Sequence, residues 1–450
     1  MIHEMAPMLT LGLLFLATLI LIALGEPVAF VLGGVGTIFY FFLISTKAIS
    51  AVPLIAFSTS TSFILLAVPL FIFMALILET AGVAEGLFDM MYKWFGGVRG
   101  GLAVGTVLIS TIFAAMVGIM GAACVTMTLI SLPVMLKRRY EKSFAIGSIS
   151  GAGLGLLIPP SVDMIIYSAV ASLSLGRMFA AGYFPGFILS ISYSVYILTR
   201  AYFQPTLAPA IPLQERATWR EKFISVKAIA LPMFVIITVM GTVFSGIATP
   251  TEAAAVGCVG ALICSAVNRR LSWSSFKDSV LRAGKINLWI MWIIIGASIF
   301  GSFISRLGLA DTLVGFVITA ELNPWAVLII MQLSFFLLGA MMDDIPIMMI
   351  TIPIYMPIIV ALGFNPIWFA ILFIINMQMA YLTPPFGYML FYIKGVVSSE
   401  GFEPKGVTMA DIYRSIWPYL ILQASCLALM MALPGVVLYL PNLFFGAEVV

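Results

Sequence analysis

The residues best placed to do chemistry are two proline doublets in apolar sequence, Pro159-Pro160 and Pro384-Pro385, and four carboxylates in similar surroundings, Asp163, Glu252, Asp343 and Asp344. A doublet removes two backbone donors and breaks a helix. At membrane depth it is tolerated only where protein or a water-filled cavity satisfies the freed carbonyls. Such carbonyls and half-helix C-terminal ends coordinate Na⁺, while half-helix N-termini attract anions. The first doublet follows Gly151, Gly153 and Gly155 and precedes Ser161; the second lies in Tyr381-Leu382-Thr383-Pro384-Pro385-Phe386-Gly387. Both stretches are expected to unwind. Backbone carbonyls near Gly118, Ile158, Asp343 and Thr383 are then the candidate Na⁺ ligands, and the Ser161 and Thr383 hydroxyls could add oxygens that suit a hard cation. A simple kink is the alternative for either doublet taken alone.

An unpaired carboxylate at the bilayer centre costs at least roughly 2.5 kcal/mol, so each needs a reason. Asp343 and Asp344 fall at the tip of an expected hairpin, where a carboxylate either ligates an ion or anchors the tip through backbone N–H groups; anchoring is favoured for at least one. Asp163, two residues past Ser161, either faces the unwound stretch or starts a helix. Glu252 follows Thr249-Pro250-Thr251 and fits a first-turn carboxylate that complements the helix dipole. Enzyme chemistry finds little support. His3 is the only histidine, Asp343 and Asp344 are adjacent rather than on facing helices, and no GxxxxGK[ST] loop is present for ATP. Energy must come from an ion gradient or a separate subunit, with no cofactor beyond the coupling ion.

The elements that hold these residues are spanning helices. The chain has 450 residues, 62% hydrophobic and only 9% charged, with mean hydropathy +1.15; a soluble globule carries about 25% charged residues. The fold class is therefore an all-α polytopic membrane protein. A net charge of +3 with scattered basic residues gives no reason to expect nucleic acid. Cys124, Cys258, Cys264 and Cys426 read as core packing.

At an offset of 225 residues the doublets align, Phe144-Ala145-Ile146 falls on Phe369-Ala370-Ile371, Met164 on Met389 and Tyr167 on Tyr392. This repeat divides the chain into 1–200, a proline-rich cytoplasmic linker 201–227, and 228–450. Spans are expected near 8–24, 27–45, 52–80, 143–168 and 179–200, and near 230–247, 249–267, 286–305, 366–393 and 415–440. Two stretches too long for one helix, 101–136 and 325–361, fit re-entrant hairpins interrupted at Gly118 and Gly121 and at Asp343, Asp344 and Pro346. Segment 82–95 fits an interfacial helix or an extension of the preceding span. Lys93, Arg99 and Lys137 to Lys142 flank the first hairpin and place its ends in the cytoplasm, whereas the second hairpin has no flanking basic residue and should open oppositely. Five crossings per half make the repeats inverted and put both termini outside.

Taken together, Gly25-Glu26-Pro27-Val28-Ala29-Phe30, Val68-Pro69-Leu70-Phe71, Leu157 to Ser161, Leu175 to Gly182, Thr249 to Ala253 and Thr383 to Gly387, in this order, resemble the large membrane subunit (DctM type) of tripartite ATP-independent periplasmic (TRAP) transporters. The resemblance implies an elevator-type transporter of the bacterial inner membrane. It also implies Na⁺-coupled uptake of an organic acid delivered by a periplasmic DctP-type binding protein, beside a small four-helix DctQ-type subunit. The family's first-hairpin motif of glycine and serine falls on Val117 to Ala123. Its serines are absent here, so Gly118, Gly121 and Ala122 stand as candidate site residues through their backbone. The family's hairpin aspartate falls on Asp343. Where the family often has a Thr-Glu-Ser-like segment, this chain has Ala171-Ser172-Leu173-Ser174, and no substrate preference carries over. The rival reading is a stand-alone elevator-type transporter for arsenite, dicarboxylates or gluconate-like solutes; a neighbouring gene for a binding protein separates the two.

Overall fold

A computed structural model describes residues 7–44, 46–384 and 387–447, so His3, Pro385 and Phe386 lie outside the described residues. The described residues form helices and no strand. In the first half the order is α1 (Pro7–Ala23), α2 (Val28–Phe39), α3 (Ala51–Ser60), α4 (Ala67–Thr80), α5 (Val83–Phe95), α6 (Gly101–Val117), α7 (Met120–Lys137), α8 (Lys142–Ser148), α9 (Val162–Val170) and α10 (Leu175–Phe203). The second half runs α11 (Trp219–Phe244), α12 (Pro250–Val267), α13 (Trp273–Arg306), α14 (Leu309–Thr319), α15 (Pro324–Gly339), α16 (Asp344–Ala361), α17 (Pro366–Ala380), α18 (Tyr388–Val397), α19 (Met409–Ala432) and α20 (Pro434–Phe445).

Among the described residues, seven helices are long and apolar enough to cross a membrane, or eight if the bent pair α3–α4 is one span. Several expected spans differ in detail. The span 52–80 bends by 53° between Ser60 and Ile64, because Ser60 and Thr61 turn their hydroxyls back onto the carbonyls of Ala56 and Phe57 at 2.7 and 2.9 Å. Such back-bonding competes with the helical ladder and bends helices. The span 415–440 is two helices parted at Leu433, whose ψ of 70° is not helical, since Pro434 disfavours the α conformation in the residue before it. The span 286–305 extends back to Trp273, where the Ser272 side chain caps the helix.

Both long apolar stretches are hairpins. Near the open end of the first, Thr106 donates to the Met135 sulfur at 3.9 Å; in the second, the Ser334 and Tyr355 hydroxyls meet at 2.8 Å. The first turns at Gly118, which holds φ 65°, while Gly121 already belongs to α7. The second turns at Ala340–Asp343, and Pro346 does not interrupt it. Within the first turn of α16 a proline costs little, because first-turn N–H groups have no helical acceptor.

Helix pairs cross between the halves in matching ways. Along α2 and α13, Phe30 meets Trp292 and Tyr40 meets Phe303, so the two run parallel. Along α4 and α12, Cys258 donates to the Leu70 carbonyl and Asn268 to that of Ala81, both at 3.1 Å, again parallel. Close approach on α13 depends on Gly296, where a Cβ would stand 2.3 Å from the Ala29 carbonyl oxygen. On the seam between the broken helices, Gly153 packs on Gln378, its own counterpart at the 225-residue offset, with a Cβ position 3.1 Å from Gln378 Cγ.

The loop between the halves is shorter than 201–227, because α10 continues to Phe203 and a Thr218–Glu221 capping box starts α11. It straps the base of the first hairpin. The carbonyls of Ala208 and Leu207 accept from Gly100 and Glu141 at 3.0 and 2.9 Å, and Ile211 donates to Gly96 at 2.8 Å. Arg138 donates to the Tyr92 hydroxyl at 2.7 Å and pairs with Glu215, holding the Glu215 carboxyl below its ordinary value.

Candidate functional site

At the first doublet the chain does not unwind over its glycines. Ile149–Leu156 forms a tight helix of about three residues per turn, and only Leu157–Ser161 is irregular before α9 begins. The glycines serve packing instead: a Cβ on Gly155 would stand 2.5 Å from Ala114 Cβ, on the first leg of the hairpin. Pro159 and Pro160 then carry the chain past the tip. The Val162 N–H donates to the Gly118 carbonyl at 3.4 Å, and a Cβ on Gly118 would lie 2.9 Å from the Pro160 oxygen. The Ile158, Pro159 and Pro160 carbonyls accept no backbone hydrogen bond from the described residues. Ser161, by contrast, is engaged as a helix cap; its hydroxyl donates to the Leu156 carbonyl at 2.7 Å and accepts from the Met164 N–H.

The second tip is pinned by Tyr381. Its hydroxyl donates to Asp343 Oδ1 at 2.5 Å and accepts from the Asp344 N–H at 2.9 Å. This gives Asp343 an anchoring contact, while its backbone carbonyl accepts no hydrogen bond from the described residues; Pro346 has no N–H to offer. The Thr383 carbonyl accepts from Gly387 at 2.9 Å, and the Thr383 hydroxyl donates to Met379 at 2.9 Å. Of the four candidate carbonyl ligands, Ile158 and Asp343 are therefore free, and Gly118 and Thr383 each already accept one bond.

Both tips and both broken helices meet at a cavity of about 160 Å³ whose walls include Gly118, Gly121, Asp163, Asp343, Asp344 and Tyr381. Asp163 and Asp344 are buried, 6% and 5% exposed, and both line this cavity. Asp163 Oδ2 has no partner. No lysine or arginine lines this cavity, so the carboxylates converge without a protein cation. Ala122, Ile158, Pro159, Pro160, Ser161, Thr383, Pro384 and Gly387 do not line it, and Glu252 lies elsewhere, in a capping box with Thr249. Sequence reasoning missed Tyr388 and Tyr392 in the wall; their spacing of four residues after the doublet, one helical face, was the available signal.

A second cavity, about 430 Å³, begins one helical turn away along both α13 and α16, at Ile294 and Met349 rather than Ile290 and Ile345. It is lined by hydroxyls from the α3–α4 bend and from α13. Nothing in the sequence reading pointed to it.

Residues 15–436 match the family described as "Tripartite ATP-independent periplasmic transporter, DctM component". The chain belongs to that family. It is a large permease subunit, a transporter rather than an enzyme, and a multi-pass protein of the bacterial inner membrane. The C4-dicarboxylate TRAP transporter large permease protein DctM of Pseudomonas aeruginosa is 32% identical over 404 residues, covering 89% of this chain and 91% of that protein. The sialic acid TRAP transporter large permease protein SiaM of Vibrio cholerae is 30% identical, covering 86% and 88%. Among solved structures, the YdaH transporter of Alcanivorax borkumensis superposes with a TM-score of 0.65 at 14% identity over 87% of this chain and 90% of that one, a likeness of fold alone.

Proposed function

We propose that this permease imports an organic acid together with Na⁺, receiving it from a periplasmic binding protein and working beside a small DctQ-type subunit. The observation that carries the reading is the convergence of Asp163, Asp343 and Asp344 on one cavity between the two hairpin tips, where the Asp343 carbonyl accepts no backbone hydrogen bond from the described residues. Oxygen ligands of this kind suit a hard cation, and an anion cannot approach three uncompensated carboxylates until cations neutralise them. Relatives named for dicarboxylates, sialic acid and ectoine support an organic acid as cargo. An isethionate permease named DctMQ, of which this chain matches 59%, supports the small partner.

The working parts are a scaffold of α1–α5 and α11–α14 and a moving unit of α6–α10 and α15–α20, sliding as an elevator along α13. Packing supports an inversion of the halves. α12 and α13 are joined by five residues, so as consecutive spans they run oppositely. α2 runs parallel to α13, hence antiparallel to α12, its counterpart.

Na⁺ coupling is tested without knowing the cargo. In a protein whose four cysteines are replaced, a cysteine at Thr383 is expected to be protected from maleimide by Na⁺ and not by K⁺. In vesicles, full uptake on a proton gradient with no Na⁺ overturns the coupling. Orientation is tested separately: both termini are expected outside, with the segments 137–142 and 269–285 in the cytoplasm. Labelling of a cysteine at Arg138 by an impermeant reagent added to intact cells would reverse that assignment.

A further inference from the structure

The larger cavity has a chemistry of its own. Its wall carries six hydroxyl residues, Ser58, Thr59, Ser62, Ser298, Ser302 and Ser305, and no charged side chain. Two are spoken for: Ser58 donates to the Ile55 carbonyl at 3.0 Å, and Ser302 meets the Tyr40 hydroxyl at 2.8 Å. The hydroxyls of Thr59, Ser62, Ser298 and Ser305 have no hydrogen-bond partner among the described residues. Three of the six, Ser58, Thr59 and Ser62, come from the run at the 53° bend, so the bend that Ser60 and Thr61 make lies at the wall of this space. The opposite wall is α9 and α16, parts of the moving unit. Cavity and ion-binding tips are thus one turn apart on the same two helices.

We infer that the cargo is a polyhydroxylated monocarboxylic acid of the sugar-acid type, its carboxylate turned toward the cation-bearing tips and its hydroxyl-bearing body in the serine-lined cavity. The inference rests on the import reading above and names its substrate class. A short dicarboxylate fits poorly, because its second carboxylate would enter a cavity with no cation to pair it, and an unpaired buried charge is costly. An apolar acid would leave four hydroxyls unpaired. At about 430 Å³ the space is within the roughly 300–1,000 Å³ of small-molecule pockets, larger than a four-carbon acid needs.

The test is uptake of radiolabelled gluconate and succinate by vesicles holding the permease and its small subunit, with the binding protein and a Na⁺ gradient. Gluconate is expected to enter in preference to succinate. The double variant Ser62→Ala and Ser298→Ala is expected to raise the gluconate KM about tenfold, as sites built around substrate hydroxyls respond strongly to lost partners. Na⁺ protection at position 383 is expected to stay as before, and Ser298→Thr, which keeps the hydroxyl, to restore most of the affinity. Succinate uptake equal to or above gluconate overturns the substrate class. So does a KM unmoved by the double variant, or uptake of neither acid. The Na⁺ reading fails independently, by absence of Na⁺ protection at position 383 when the cavity serines are intact.

Discussion

Replacing Tyr381 with phenylalanine will release the second hairpin tip and reduce uptake by at least about tenfold. Among the described residues, the tyrosine hydroxyl is the only side-chain group bonded to both the Asp343 carboxylate and the Asp344 N–H, at 2.5 and 2.9 Å. Its loss strands the buried Asp344 N–H, a group worth about 1–3 kcal/mol when left unsatisfied, and takes a donor from the half-buried Asp343 carboxylate. Asp343→Asn keeps an acceptor for the tyrosine and removes the charge. It therefore separates two roles: a carboxylate that only anchors is replaced with mild loss, whereas one that also ligates loses Na⁺ dependence. Combining the two variants gives a coupling energy, expected to be well outside the roughly 0.3–0.5 kcal/mol scatter of independent sites. Thermal unfolding in detergent and Na⁺-dependent uptake at matched expression supply the readouts. Wild-type uptake in Tyr381→Phe would show that the tip does not depend on this tyrosine.

Gly182→Ala will be the most damaging small substitution near the first doublet. A Cβ there would sit 2.1 Å from the Leu157 carbonyl oxygen and 2.4 Å from Met164 Cε. The methionine tip can swing away, but the carbonyl belongs to the irregular segment that leads into Pro159 and cannot. Overpacking a well-filled interior costs about 1–3 kcal/mol even when the neighbours relax, and here α10 would have to part from the broken helix. Gly34→Ala on α2 is the control, since a Cβ there meets nothing within 4 Å. It is expected to be neutral or to gain roughly 0.5–1 kcal/mol from helix preference. Melting temperatures of the two purified variants decide it, and an unchanged midpoint for Gly182→Ala would mean the break moves freely.

The parts of this protein legible in its sequence are those with local causes. Proline removes a donor wherever it stands, so the doublets marked the two breaks, and Gly118 marked the first hairpin turn because a left-handed residue is cheapest as glycine. Asn323-Pro324 and Asn365-Pro366 likewise begin helices by a local rule: the Asn side chains cap α15 and α17, ahead of a proline at the first helical position. The 225-residue repeat was visible for the same reason, as two copies of one set of local signals. Local causes also misled. The glycines before Pro159 pointed to unwound chain, yet in the folded protein they let a tight helix lie against α6, a reason that exists only once α6 is there. The Ser58–Ser62 run could have announced the bend, since its hydroxyls act on carbonyls three and four residues back.

What only the tertiary structure decided is which groups share a site. Asp163 and Asp344 come from different halves, and no periodicity predicts that both line one cavity. Tyr381 acquires its role only where the second hairpin turns back on its broken helix. The hydroxyl-lined cavity needs α3 and the bend after it, α9, α13 and α16 at once. Side-chain type and backbone preference are properties of a few consecutive residues, whereas proximity depends on how helices far apart in the chain pack together, and that packing minimises the free energy of the whole bundle.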